Sequence, residues 1–301
     1  MGEALAGEGA DSGQIDARGI DRVILQYNRP VLFYFLASAI PWAAWLAAAY
    51  LSHLPEQTTT VLVATLVLSL AGLLAPLLVV YALVRRTPVL RQDIRRRLRW
   101  PRQAPWLLIA CAFFLLPVSL FVAQAISIPF GYSVEQFQLR GGFTYSAGLA
   151  PVWMILLGAA VIEELAWHSY GTDTLIRRMR VFTASILFAV IWVIWHVPLA
   201  FIEGYYHSEV VESGVLYTLN FPASMIAFVI LMNWLYFRCG RSILIPILFH
   251  VSANFSAEIF LTHPDSKVIQ TGLLLLFSIG VLVHERELFF GSGHINNTTP
   301  R

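Results

Sequence analysis

Three apolar stretches of the chain each carry side chains that hydrocarbon excludes and that chemistry uses. They are Glu163 and Glu164 in AAVIEELAWHSYG, His196 in IWVIWHVPLAF, and His250 with Asn254 in SILIPILFHVSANFSAE. An ionisable group at the centre of a bilayer costs at least about 2.5 to 3.5 kcal/mol, so each is a functional candidate from the outset. Helical spacing orders them further. Glu164 and His168 stand four apart and share a face, with Glu163 and Trp167 on the neighbouring one. Trp192 and His196 are also four apart, which sets the indole beside the imidazole and limits its rotamers. His250 and Asn254 repeat the spacing and project from one face as a donor pair. Taken one at a time, each has a plain structural reading: carboxylates that fix packing, a satisfied histidine, an asparagine bridging helices for about 1 kcal/mol. Taken together they ask for a common purpose.

The elements that must position them are set by composition. Of 301 residues 57% are hydrophobic and 13% charged, with mean hydropathy +0.67, which excludes an ordinary soluble domain. The reading is an all-α, multi-pass transmembrane bundle. Eight windows match the ~20 apolar residues a spanning helix needs: about 30–52, 58–84, 104–127, 148–171, 181–202, 221–238, 242–260 and 267–284. The sixth and seventh are short enough to be tilted or re-entrant. Residues 29–284 form one helical domain with the motif-bearing core at about 148–258. A polar segment, 1–28, precedes it and a tail, 285–301, follows.

Charge orients the bundle. RRTPVLRQDIRRRLRWPR, between the second and third windows, holds eight arginines, and Arg177, Arg178, Arg180, Arg238 and Arg241 lie in later loops of the same parity. The alternate loops offer Arg140, Lys267, Glu203, Glu209 and Glu212. The positive-inside rule therefore places the arginine loops and both termini in the cytoplasm. Beside two membrane spans, the arginine run reads as a topology signal touching anionic head groups rather than as a nucleic-acid site, and no nucleic-acid partner is expected. No apolar run follows a basic start, so no signal peptide is expected. Cys111 and Cys239 have no metal-type spacing and read as small apolar fillers.

Depth joins the candidates. At 1.5 Å per residue, Glu163 lies about 21 Å from Arg177, His196 about 24 Å from Arg180, and His250 and Asn254 about 14 and 20 Å from Arg241. All fall within a slab about 10 Å thick near mid-membrane, so they can meet in one polar cavity. Such a set supports three chemistries. Glu163, His196 and His250 could hold zinc, although the helical HExxH spacing is absent. A proton-coupled transporter could relay protons through them, but that class often shows internal repeats and none is found here. Or a carboxylate could activate water for amide hydrolysis while donors hold the oxyanion, which gives every member a role.

The motifs EELAWH at 163–168, WVIWH at 192–196 and HVSAN at 250–254 resemble, in order, the three motifs of the CPBP family of intramembrane endopeptidases. That family includes the type II CAAX prenyl endopeptidases and bacteriocin-immunity homologues. The resemblance implies an eight-helix membrane protease acting on a membrane-associated or lipidated, CAAX-like peptide. Glu163 would be the general base assisted by His196, His250 and Asn254 would stabilise the oxyanion, and Glu164 would act in support. It implies no obligatory cofactor, with zinc as the alternative. One position departs: where the family motif EExxxR ends in arginine, this chain has His168, which offers fewer donors and a conditional charge. That departure keeps open a catalytically inactive scaffold or immunity protein.

Overall fold

The computed structural model describes residues 22–140 and 152–291, and every spanning element in it is a helix. Helix α1 (Pro30–Ser52) starts on a proline, whose missing N–H costs nothing at a first turn. Helix α2 (Thr59–Val84) is capped by the Thr58 hydroxyl, which accepts from the Val61 N–H. The two pack closely because Gly72 leaves room for the Trp45 indole, which donates to the Ser69 carbonyl at 3.0 Å. A Cβ at Gly72 would fall 2.2 Å from the indole nitrogen.

The arginine-rich connection is not a plain loop. It contains helix α3 (Pro88–Arg97), which turns Leu90, Asp93 and Arg97 inward and leaves Arg91 and Arg95 in solvent. Helix α4 (Trp106–Ser127) extends through a 3₁₀ turn to Phe130. Helix α5 (Val152–Ala166) passes into a π turn (Trp167–Gly171) and resumes over Thr172–Ile176. Helix α6 (Val181–His196) tightens into 3₁₀ geometry (Val197–Phe201) at Pro198. A short helix α7 (Tyr206–Glu212) precedes α8 (Val215–Arg238), α9 (Leu244–Ile259), α10 (Pro264–His284) and α11 (Arg286–Phe290).

The bundle is thus the multi-pass helical membrane fold expected, with differences in detail. Among the described residues, six helices are long and apolar enough to cross a membrane: α1, α2, α4, α6, α8 and α10, where α4 and α6 are counted with their 3₁₀ extensions. The sixth expected window is not short. α8 begins at Val215 and runs 24 residues, with Pro222 inside it. The seventh is short as expected: α9 has 16 residues, about 24 Å of rise. The fourth window's first residues, 148–151, lie outside the described residues, as do most of the N-terminal segment and the end of the tail. What is described of those flanks packs on the bundle, since Ile24, Tyr27, Leu288 and Phe289 are buried.

At the arginine-rich end, α3 is pinned into the core by four charges. Arg97 pairs with Asp93 (3.0 Å) and Asp173 (2.7 Å), and Arg241 with Asp93 (3.1 Å) and Asp173 (2.5 Å). Two cations meet two anions, and the Tyr27 and Tyr236 hydroxyls accept from Arg97 at 2.6 Å each. Burial by itself pushes the Asp93 carboxyl upward, but Arg241 and Arg97 outweigh it and hold the group below the usual carboxylate range. Arg241 reaches the cluster from a left-handed backbone (φ 63°), next to Gly240 (φ 66°), a conformation that costs a non-glycine residue on the order of 1 kcal/mol and is offset by its two aspartates.

Candidate active site

The π turn shapes the first wall of the site. Its wide bonding pattern leaves backbone carbonyls facing sideways, and Arg97 donates to those of His168 (3.0 Å) and Ser169 (2.8 Å). The Tyr236 hydroxyl adds a second bond to the His168 carbonyl at 3.2 Å. Just before this fixed bulge, α5 presents Glu163 to Trp192 of α6 and Glu164 to His250 of α9.

Trp192 gathers the candidates. Its indole N–H donates to the Glu163 carboxylate at 3.0 Å. The same ring lies 5.8 Å from His196 and 5.4 Å, edge to face, from His250. Sequence spacing pairs Trp192 with His196 alone. Its reach to α5 and α9 depends on interhelical geometry that no local pattern encodes.

Hydrogen bonds settle what each ring nitrogen offers. His196 Nδ1 sits 2.6 Å from the Trp192 carbonyl, which can only accept, so Nδ1 carries the proton and Nε2 presents a lone pair. His250 Nδ1 meets Glu164 Oε1 at 2.7 Å. His168 Nδ1 bonds the other oxygen of the same carboxylate, and its Nε2 lies 3.1 Å from Asn233 Oδ1. Glu164 therefore spends both oxygens on histidines and is fully buried, whereas Glu163 retains 7% exposure and an oxygen not bonded to the indole.

Asn254 stands one turn from His250 and donates to the Leu156 carbonyl of α5 at 3.1 Å, so one of its N–H groups ties α9 to α5. His207 is a site neighbour that sequence reading misses. Carried by α7, its ring stacks on His196 at 4.9 Å, but a histidine in a polar loop outside any helical spacing gives no signal beforehand. Among the described residues, no three His, Cys, Asp or Glu side chains are placed as a metal-binding group. Glu163, His196 and His250 each pack against the Trp192 indole.

A helical membrane bundle whose interior sets a carboxylate and two imidazoles against one tryptophan defines the class: an integral membrane protein with a buried polar cluster. Comparison with known proteins supplies the family. Residues 145–256 match the model described as type II CAAX prenyl endopeptidase Rce1-like. Over 267 residues, 88% of this chain and 97% of the other, the sequence is 33% identical to CAAX prenyl protease 2 of Methanococcus maripaludis. The chain belongs to the Rce1-like family of intramembrane endopeptidases.

Proposed function

We propose that the protein hydrolyses a peptide bond of a prenylated, CAAX-like substrate held in the membrane, with Glu163 as the general base. The observation that carries this reading is the Trp192 indole, which bonds Glu163 while packing on both His196 and His250. Glu163 takes a proton from water as that water attacks the carbonyl, and the lone pair on His196 Nε2 orients the same water. The developing oxyanion is met by His250 Nε2 and by the second N–H of Asn254. Glu164, bonded to His250 Nδ1, fixes that ring and balances its doubly protonated form, whose Nε2 then carries the proton donated to the oxyanion. Glu163 then returns the proton to the departing amine, so no charge is left stranded in the dry site.

A prenylated substrate suits this placement because its lipid holds it in the bilayer where the site lies. The family assignment supports the substrate class, since the Methanococcus maripaludis relative is a CAAX prenyl protease. No step requires a metal. The arginine-rich end, with both termini, faces the cytoplasm in this reading.

The test is cleavage of a farnesylated CAAX peptide by the protein in vesicles. Glu163→Gln should keep its fold and lose at least about 10²-fold in kcat. Turnover surviving in both Glu163→Gln and Glu163→Ala removes the base assignment. Abolition by chelator, with about one ion found per chain, replaces the water mechanism with a metal one.

A further inference from the structure

A chain of side chains behind Glu164, none of them in the three motifs except His168, fixes where one proton of the site must sit. The chain starts at Ser185 on α6. Its hydroxyl lies 2.8 Å from the Val181 carbonyl, which can only accept, so the single serine proton is spent there. Toward Asn233 Nδ2, also at 2.8 Å, the hydroxyl oxygen can then only accept. This sets the orientation of the Asn233 amide: nitrogen toward Ser185, oxygen toward His168. An amide oxygen has no proton to give, so His168 Nε2, 3.1 Å away, must be the donor. Ser185, Asn233, His168 and Glu164 are all at most 1% exposed, which leaves no room for water to substitute.

With Nε2 committed as a donor, His168 Nδ1 and the Glu164 oxygen it touches share one further proton. Wherever that proton sits, the pair is neutral as a whole, as an arginine and a glutamate would be. We propose that Asn233, backed by Ser185, is a positioning residue of the site: it fixes His168 as an Nε2 donor, and so holds Glu164 in a neutral pair that orients His250. This is how a histidine serves at a position where the resembling motif has arginine. The aromatic walls agree, for Tyr236 lies edge-on to His168 at 4.9 Å and Phe188 at 6.0 Å, and neither offers its ring an alternative acceptor. The effect on turnover rests on the reading of His250 as a donor; the proton placement does not.

Two measurements test it. In protein labelled with ¹⁵N-histidine and held in lipid nanodiscs, the His168 signals are those lost in His168→Arg. Nε2 of His168 should carry a proton in the wild type and lose it in Asn233→Ala. A wild-type Nε2 without a proton overturns the inference whatever the enzyme does, and this holds even if a variant fails to fold. In the peptide assay, Asn233→Ala should lower kcat about tenfold with KM within about twofold. A guanidinium brings its own fixed protons, so His168→Arg combined with Asn233→Ala should recover kcat to within about threefold of wild type. Unchanged kcat in Asn233→Ala, or a double variant no better than the single, removes the positioning role. Absence of turnover in every variant and in the wild type instead strikes the proposed function, and the nitrogen signals still decide the proton placement.

Discussion

An indole N–H bonded to a carboxylate does two things for Glu163. It satisfies one oxygen, and it ties the carboxylate to the ring that sits between His196 and His250. Trp192→Phe separates these effects, because the phenyl ring keeps much of the packing and lacks the donor. Loss of one hydrogen bond to a charged group is worth about 1.5 to 3 kcal/mol, so a fall in kcat of about 10- to 100-fold is expected with little change in KM. A fall no larger than that of a distant core substitution of similar size would show that the N–H does not matter. At this scale, helical spacing makes much of the site legible: Glu163, Glu164, His196 and His250 stand out as polar groups four-apart from partners in apolar runs. Asn233, a single polar residue in α8, and Arg97, one arginine of eight in its run, do not stand out. Their partners lie 65 and 71 residues away, and only packing brings them together.

The π turn of α5 is the element that aims the two glutamates, and α3 is what holds it. Arg97 meets the turn's carbonyls while Asp93 and Asp173 balance its charge. Removing one partner of a buried pair leaves the other charge uncompensated, so Arg97→Ala should destabilise by about 3 to 5 kcal/mol, read as a lowered Tm in detergent. Asp93 gives the cluster a pH dependence. Its carboxyl is held below the usual carboxylate range when folded, so its contribution is complete above that range and lost as pH falls through the lower folded value. Wild-type protein should therefore lose Tm on acidification into and below the range of an ordinary aspartate. Asp93→Asn should start less stable and lose less over the same interval, and parallel curves for the two would count against the cluster as the acid-sensitive element. Proline and arginine content announces a loop between α2 and α4. That the loop contains a helix buried along one edge follows from Leu90, Asp93 and Arg97 at three- and four-residue spacing, a pattern obscured by the surrounding arginines.

For the whole molecule, burial of the site and asymmetry of charge have to be reconciled. Arginines crowd one end, where Arg91, Arg95 and Arg99 are exposed, while the opposite end carries Glu56 in the turn between α1 and α2. Lys and Arg near spans are retained on the cytoplasmic side, so one end of the bundle should face inward in every molecule. Labelling reads this directly. Cys111 and Cys239 are first replaced by alanine, since both are free thiols, and a single cysteine is introduced as Glu56→Cys or Arg99→Cys, both at exposed positions. A charged maleimide that cannot cross the membrane should modify Glu56→Cys in intact cells and Arg99→Cys only after the membrane is inverted or opened. The reverse pattern would overturn the orientation while leaving Trp192 and its partners where they are. Equal modification of both from one side would be more serious. Glu56 and Arg99 are separated by α2 and α3, and a bundle that failed to place them on opposite faces could not hold Glu163 at the membrane depth the proposed reaction requires.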